Sequence, residues 1–301
     1  MVAQSFTAEE RQLYIGGSDI AAILGQSRWK TPYRLWAEKS GKIEIPDLSN
    51  NEAIEMGNRL EQVVADIFSD RTGLIVRRQT RTYKHPKYPY LVAHVDRLIT
   101  GSDELLECKT CSAYKLEEWE NSIPKEYVLQ VMWYLGITGR KRGWIACLIG
   151  GQKFDYKVIE FDEELFNKMV EKAVRFWEMV QNDTPPVMVA EDGGVLAEIY
   201  PKSTDELIEM NEINDRVAYM KELEMHRSEI NKEIEEIKTE FKSIIQEKQG
   251  IKTPQYIVMW KNQKSTKLDT DRIWAELPDV EKWTKTTEYR VLRVVKNKEA
   301  V

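Results

Sequence analysis

The sequence predicts a mixed α/β (α+β) fold: a mixed sheet flanked by helices, then a long C-terminal helix and a small β-containing tail. Three observations carry this. Residues 50–71 and 124–136 place apolar side chains at helical spacing. Residues 91–110 and 143–160 each hold two apolar-rich runs of strand length around a glycine-containing turn. Residues 203–249 contain neither glycine nor proline. The expected organisation is a core over 1–182, a connector over 183–202, a long helix over 203–250 and a small α/β module over 251–301.

Composition narrows the function classes. The chain has 301 residues, 42% hydrophobic and 31% charged, enough for one large domain and an appendage with a strongly charged surface. A net charge of −6 argues against indiscriminate coating of nucleic acid but leaves room for a local basic groove. Three cysteines cannot all pair, which points to a reducing cytosol. No run is long and apolar enough for a membrane span, and the N-terminus lacks a basic segment followed by an apolar one, so a cytoplasmic protein is expected.

Residues 1–10 read as a loose lead-in. From Arg11 to Gly25, Gly16-Gly17 lets backbone approach a ligand closely, and Ser18 or Asp19 is a candidate N-cap for a helix through Ile20, Ile23 and Leu24. A glycine turn feeding a helix N-terminus suits an anion, although an ordinary capped helix looks the same. Arg28, Lys30 and Arg34 interleave with Trp29, Tyr33 and Trp36. Such a cluster suits a phosphate backbone, and any of the rings could equally be core.

Residues 50–71 form a helix whose apolar stripe is Ile54, Leu60, Val63, Val64, Ile67 and Phe68. Glu61 falls inside that arc, with Gly57 one turn earlier. A carboxylate on a buried stripe needs something positive. It is read as a metal or water ligand, in preference to a salt bridge with a core arginine. Leu74–Tyr83 reads as a strand, and 85–90 as a loop.

The central hairpin is LVAHVDRLITGSDELLECKT, with Leu91–Ile99 and Glu104–Thr110 around Gly101-Ser102-Asp103. Strand alternation puts Glu107 and Lys109 on one face and Cys108 on the other. Asp96 and Glu107 on neighbouring strands can hold a divalent cation, and the ammonium of Lys109 can steer a water or neutralise developing charge. A solvated surface hairpin would carry similar charges, but Val95, Leu98, Ile99, Leu105 and Leu106 make these strands too apolar for a wet edge. His94, two before Asp96, is read first as a hydrogen-bonding residue and second as a phosphate contact. Cys108 and Cys111 form a CxxC, but with only Cys147 besides, a four-cysteine site is unavailable.

Residues 124–136 form a helix on which Gln130 and Tyr134 share a face, a polar pair in apolar surroundings that could reach an active site. Gly143–Ile149 and Lys153–Glu160 form a second hairpin around Gly150-Gly151. Asp162 caps a helix that ends before Asp183-Thr-Pro-Pro. Further on, Ile230, Ile234, Ile237, Phe241 and Ile244 recur at intervals of 4, 3, 4 and 3. This is a coiled-coil-like stripe with a register break near Met225-His226-Arg227, ended by Gly250. Ile251–Lys261 and Tyr289–Val295 read as strands around a short helix at Asp271–Leu277. This last third is either an interaction or clamp module or a helical prop.

Taken together, Arg11…Gly-Gly-Ser18-Asp19, Gly57-x-x-x-Glu61, Asp96, Glu107-x-Lys109 and Gln130-x-x-x-Tyr134 resemble the YqaJ-type viral recombinase nucleases, relatives of phage lambda exonuclease in the PD-(D/E)xK nuclease superfamily. The resemblance covers residues 8–182, and Trp260-Lys261 and Tyr289-Arg290 also look like the ends of some YqaJ-type proteins. Val95 stands where the family often has proline. His94 and Lys115 stand where lambda-type enzymes have a serine and an arginine that grip a 5′ phosphate.

The resemblance implies a restriction-endonuclease-like core and Mg²⁺-dependent, processive 5′→3′ digestion of one strand of linear double-stranded DNA. It implies a RecT-type single-strand annealing protein as partner, a trimeric ring, and a phage- or prophage-encoded protein in a bacterial host. Asp96, Glu107 and the main-chain carbonyl of Cys108 would hold one Mg²⁺, with Mn²⁺ as a substitute. Glu61 would serve a second ion or its water. Lys109 would position the attacking water, Gln130 with Tyr134 would orient Lys109, and Arg11, Ser18, His94 and Lys115 would meet the 5′ phosphate. Two other readings stand beside this one: a structure-selective or restriction-type endonuclease of the same superfamily, and a non-catalytic DNA-binding assembly protein.

Overall fold

The structure is a computed structural model that describes residues 7–48, 50–276 and 279–295. The chain divides into two compact units, Met1–Tyr200 and Pro201–Val301.

The first unit opens with three short helices, α1 (Ala8–Gln12), α2 (Gly17–Ile23) and α3 (Pro32–Lys39). The long α4 (Glu52–Thr72) follows, begun by the Asn51 side chain, which accepts from the Ala53 and Ile54 N–H groups, and stopped by Gly73 at φ 71°. Next come β1 (Val76–Arg78), β2 (Thr82–Lys84), β3 (Val92–His94), β4 (Arg97–Ile99) and β5 (Glu104–Cys111). Then α5 (Leu116–Asn121) and α6 (Lys125–Thr138) cross over to β6 (Arg142–Ile149) and β7 (Lys153–Glu160). The unit ends with α7 (Glu163–Gln181), capped by Asp162, and α8 (Gly193–Ile199).

The sheet is mixed, in the order β1-β4-β5-β6-β7. Only β5 and β6 run parallel, which is why a helical crossover must join them. Both faces are covered. On one, Val64 and Phe68 of α4 pack on Leu106, Ala146 and Phe154. On the other, Leu105 and Ile145 meet Val131 and Leu135 of α6, within a larger cluster that includes α2 and α7. The hairpin predicted around Gly150-Gly151 forms, with φ of 58° and 72° at the two glycines.

Two predicted strands are each broken in two. Leu91–Ile99 is divided at Val95-Asp96: β3 pairs with β2 in a separate ribbon, while β4 joins the main sheet. Leu74–Tyr83 breaks opposite, between β1 and β2. One backbone bond still crosses there, from the Gln79 N–H to the Asp96 carbonyl at 3.0 Å, and side chains add to it. Gln79 Oε1 accepts from the N–H groups of Thr80 and Arg81 at 3.2 and 3.3 Å, and Asp96 Oδ2 accepts from the Cys108 N–H at 2.9 Å. The predicted α4 stripe is also corrected at its first half. Ile54 and Val63 are exposed, and the core contact is made by Val64, Ala65 and Phe68. The stretch read as a connector carries α8. Val195 joins the core, and Asp192 accepts a hydrogen bond from Thr31.

In the second unit a 3₁₀ turn (Asn211–Ile213) leads into α9 (Asn214–Ile245), so the predicted helix begins eleven residues later than the 203 expected. It runs unbroken through Met225–Arg227. Its stop is Gln246 at φ 49° and not Gly250. Gly250 instead opens β8 (Gly250–Lys252), whose antiparallel partner is β9 (Ile257–Met259). A Cβ at Gly250 would lie 2.1 Å from the Val258 carbonyl oxygen, so the ribbon itself demands the glycine. The predicted strand Ile251–Lys261 is thus a hairpin. The short helix expected at Asp271–Leu277 forms as α10 (Thr270–Glu276), with Leu277 outside the described residues. Tyr289–Val295 forms no strand.

Candidate active site

The centre of the first unit is β5, third of five strands. Alternation turns Leu106 and Cys108 toward α4, and Glu107 and Lys109 toward α6. A charged pair buried on that face must be fully met, and α6 meets it. Lys109 Nζ donates to Glu107 Oε1 at 2.6 Å and to Gln130 Oε1 at 3.0 Å. Gln130 Nε2 donates to the same Glu107 oxygen at 2.9 Å and to the Tyr134 hydroxyl at 2.8 Å. One amide thus touches acid, amine and phenol together, and the amide's own orientation is fixed by the three.

Asp96 enters from the break between β3 and β4. Its link to the Cys108 N–H ties the break to the strand that carries Glu107. The next residue, Arg97, is 2% exposed and donates to Glu61 of α4, to Gln62 Oε1 and to the Asp96 carbonyl. Glu61 therefore meets a core arginine, the reading ranked second from the sequence.

The other wall is the segment Arg11–Asp19. Lys39 is buried beneath it and donates to the carbonyls of Arg11 and Tyr14 at 2.5 and 2.6 Å, and pairs with Asp19 Oδ2 at 2.9 Å. Asp19 in turn accepts from the Gly16 N–H at 3.1 Å, so Gly16, not Ser18 or Asp19, is the N-cap of α2. Gly17 is required by packing: a Cβ there would stand 2.4 Å from the Tyr134 ring. Gly17 also lines the cavity, where the sequence reading expects backbone to approach a ligand closely.

Between these walls lies a cavity of about 650 Å³. Most of the predicted residues line it: Glu61, Asp96, Glu107, Cys108, Lys109, Gln130 and Tyr134 on the one side, Arg11 and Ser18 on the other. His94 also lines it, though by way of the strand break and not by sharing a strand face with Asp96. Its Nε2 is 3.1 Å from Thr82 Oγ1, and its ring stands edge-on to Tyr14. Lys115 is not among the lining residues and pairs with Glu118 at 3.5 Å. Of the basic-aromatic cluster, Tyr33 and Trp36 are core, and Trp29 is exposed on the cavity rim. Arg28, Lys30 and Arg34 are met by Glu118, Glu126, Glu38 and Glu198.

Three residues of this arrangement escaped the sequence reading. Arg97 follows Asp96 within an apolar run, and Lys39 lies near Leu35 and Trp36 on a short amphipathic helix. A buried charge at an apolar position was the available signal in both. Tyr127, whose ring has Lys109 Nζ 4.9 Å from its centroid, gave none.

The electrostatics favour an added cation. Burial raises the Asp96 carboxyl well above the usual range, and the charge of Glu107 raises it further, against the pull of Lys109. Burial alone would lower the Lys109 ammonium, but Glu107 and Asp96 outweigh it and the net direction is up. Burial likewise raises the Tyr134 hydroxyl. Glu107 Oε2 is buried with no hydrogen-bond partner among the described residues. An orphaned carboxylate oxygen beside a carboxyl that resists ionising is what a divalent cation would correct. Among the described residues no three His, Cys, Asp or Glu side chains form a group that could hold a metal ion. The donors that Asp96, Glu107 and the Cys108 carbonyl could offer are all oxygens, the kind a hard ion such as Mg²⁺ takes.

Residues 8–141 match the YqaJ-like viral recombinase domain. The chain is 37% identical over 293 residues to the protein YqaJ of Bacillus subtilis, covering 93% of this chain and 91% of that one. Among solved structures it is similar to the alkaline exonuclease LHK-Exo of Laribacter hongkongensis (TM-score 0.49, 20% identity, 58% of this chain and 91% of that chain). It is also similar to a phage-related exonuclease of Haemophilus somnus (TM-score 0.44, 13% identity, 57% and 96%).

Proposed function

The chain belongs to the YqaJ-like viral recombinase family, and on that premise we propose that it is a Mg²⁺-dependent deoxyribonuclease. It digests one strand of linear double-stranded DNA from the 5′ end and leaves a 3′ overhang. The observation that carries the reading is the orphaned Glu107 Oε2 next to Asp96, at the floor of an open cavity whose far wall is Arg11 and Ser18.

Asp96, Glu107 and the Cys108 carbonyl would hold the cation. Mg²⁺ bound there, or Mn²⁺ in its place, supplies charge to the scissile phosphate and lowers the pKa of a bound water. Lys109 Nζ, held by Glu107 and Gln130, would donate to the attacking water or to the phosphate. Gln130 fixes where that ammonium points, and Tyr134 holds Gln130. Glu61 would reach a second ion only through the oxygen that Arg97 does not hold. Arg11 and Ser18 would take the 5′ phosphate, with His94 as a third donor. Hydrolysis that breaks the P–O3′ bond releases a nucleotide with a 3′-hydroxyl and leaves the phosphate on the new 5′ end of the digested strand, which would regenerate the end this wall holds. The trimeric ring and the hand-over of the overhang to a RecT-type annealing protein rest on family membership alone.

The test is a linear duplex labelled at the 5′ or the 3′ end of one strand, incubated with Mg²⁺. The 5′ label is released first, and covalently closed circular DNA is left intact. Release of the 3′ label first would reverse the polarity, and cutting of closed circles would favour the endonuclease reading. A duplex with 5′-hydroxyl ends is cut more slowly than its phosphorylated counterpart. Equal rates would remove Arg11 and Ser18 from the phosphate role.

A further inference from the structure

Trp29 is 66% exposed, yet it does not stand on an open surface. It lies where the cavity of the site meets a second one of about 620 Å³, walled by the turn before α3 and by Val189–Val195, and it lines both. Ser27 and Lys30 are likewise common to the two. The ring is held from behind: Trp29 and Tyr127 lie 6.3 Å apart, and Tyr127 is stacked on the buried Trp119 at 5.7 Å. Lys109 Nζ is 4.9 Å from the centroid of that same Tyr127 ring. An aromatic series thus runs from the ammonium at the reaction centre to an indole at the cavity mouth. The charges beside Trp29 are already engaged, Arg28 with Glu118 and Glu126, and Lys30 with Glu38. The rim therefore offers a flat apolar face with little uncompensated positive charge.

We propose that Trp29 is a stacking platform for a nucleobase: the base of a nucleotide within three of the digested end, held at the mouth while its phosphate lies against Lys109. The inference rests on the nuclease reading and deepens it, because it assigns the cavity mouth to a base and not to the sugar-phosphate chain. A flat face accepts any base, so the platform adds grip without sequence preference. It also gives the unpaired end a second resting place in the neighbouring cavity. Tyr127 positions the indole and, by its contact with Lys109, couples base placement to the ammonium.

The test pairs variants of Trp29 with substrates that lack a base. Linear, 5′-phosphorylated duplexes carry a tetrahydrofuran abasic residue at the first, second or third nucleotide of the digested strand, and nucleotide release is followed with Mg²⁺. On intact duplex, Trp29→Ala should lose roughly ten-fold in kcat/KM, the size expected for one base–aromatic stack, and Trp29→Phe should recover most of it. At one of the three abasic positions the wild-type chain should fall to the rate of Trp29→Ala, and the variant should lose nothing more. Equal losses for the variant on intact and abasic duplexes at all three positions, or no loss at all, would overturn the platform. Failure of the wild-type chain to release nucleotide from any duplex would instead overturn the nuclease reading, and the platform with it. Trp29 is exposed, so Trp29→Ala should fold normally, which its thermal midpoint reports.

Discussion

Lys109 is held between Glu107 and Gln130 at 2.6 and 3.0 Å, and that grip decides what it can do. Glu107 and Asp96 push its pKa up against burial, and the two bonds fix the direction in which its N–H groups can be offered. Beneath the opposite wall Lys39 has a purely positional task. Replacing it with methionine removes a donor from the carbonyls of Arg11 and Tyr14 and the partner of Asp19. The expected cost is about 2 kcal/mol, read as a lower urea midpoint at unchanged m-value; an unchanged midpoint would show that the wall does not depend on it. Arg97→Met removes the partner of Glu61 and should cost about 3 kcal/mol, measured in the same way.

His85 adds a pH dependence of stability. Its Nδ1 accepts from the N–H groups of Lys87 and Tyr88, both at 3.2 Å, and burial, helped by Lys87, lowers its pKa below the usual value near 6.5. The folded chain therefore keeps His85 neutral at pH values where the unfolded chain takes up a proton. Stability is present above about pH 6.5 and declines below it. His85→Asn keeps an acceptor without a titrating group. Its thermal midpoint should fall less than that of the wild type between pH 7.5 and 5.5, and an identical fall in both would place the effect elsewhere.

At the scale of elements, the site depends on how closely α2 approaches α6. A methyl at position 17 would stand 2.4 Å from the Tyr134 ring, and Tyr134 holds Gln130, which aims Lys109. Gly17→Ala should therefore reduce kcat more than it reduces stability, with DNA affinity little changed. A loss confined to affinity would show that the glycine serves the phosphate wall.

The elements built from local signals were legible. The 3.6-residue stripe announces α4, and the paired glycines announce the β6–β7 hairpin. The pattern Glu107-x-Lys109 announces its shared face, because alternation is a local rule. What was not legible comes from non-local bonds. At the two strand breaks Asp96 accepts from the Cys108 N–H of a neighbouring strand and Gln79 Oε1 accepts from the N–H groups of Thr80 and Arg81, which no apolar pattern records. The choice of Arg97 as partner for Glu61 depends on the packing of α4 across β4, and the use of Lys39 depends on where Arg11, Tyr14 and Asp19 lie. The length of α9 was overread because residues 203–210 lack helix breakers, yet they form no helix.

At the scale of the whole molecule, every predicted site residue lies in Met1–Tyr200, which is a compact unit with its own core. A chain ending at Tyr200 should fold cooperatively, since α8 and Asp192 belong to that core. Retained cleavage of linear duplex by the shortened chain would leave the second unit to assembly or partner binding. Lost cleavage with intact folding would mean that residues 201–301 take part in engaging DNA. No helix among the described residues is long and apolar enough to cross a membrane.

The proposed joint role of Asp96, Glu107 and Lys109 in DNA hydrolysis can be read from nucleotide release from linear duplex by the wild-type chain and by Lys109→Ala, with Mg²⁺ and with EDTA, and with DNA binding measured alongside. The wild type should release nucleotide in Mg²⁺ only, and the variant should bind DNA while releasing nothing. Release by Lys109→Ala at the wild-type rate, or by the wild type in EDTA, would contradict it.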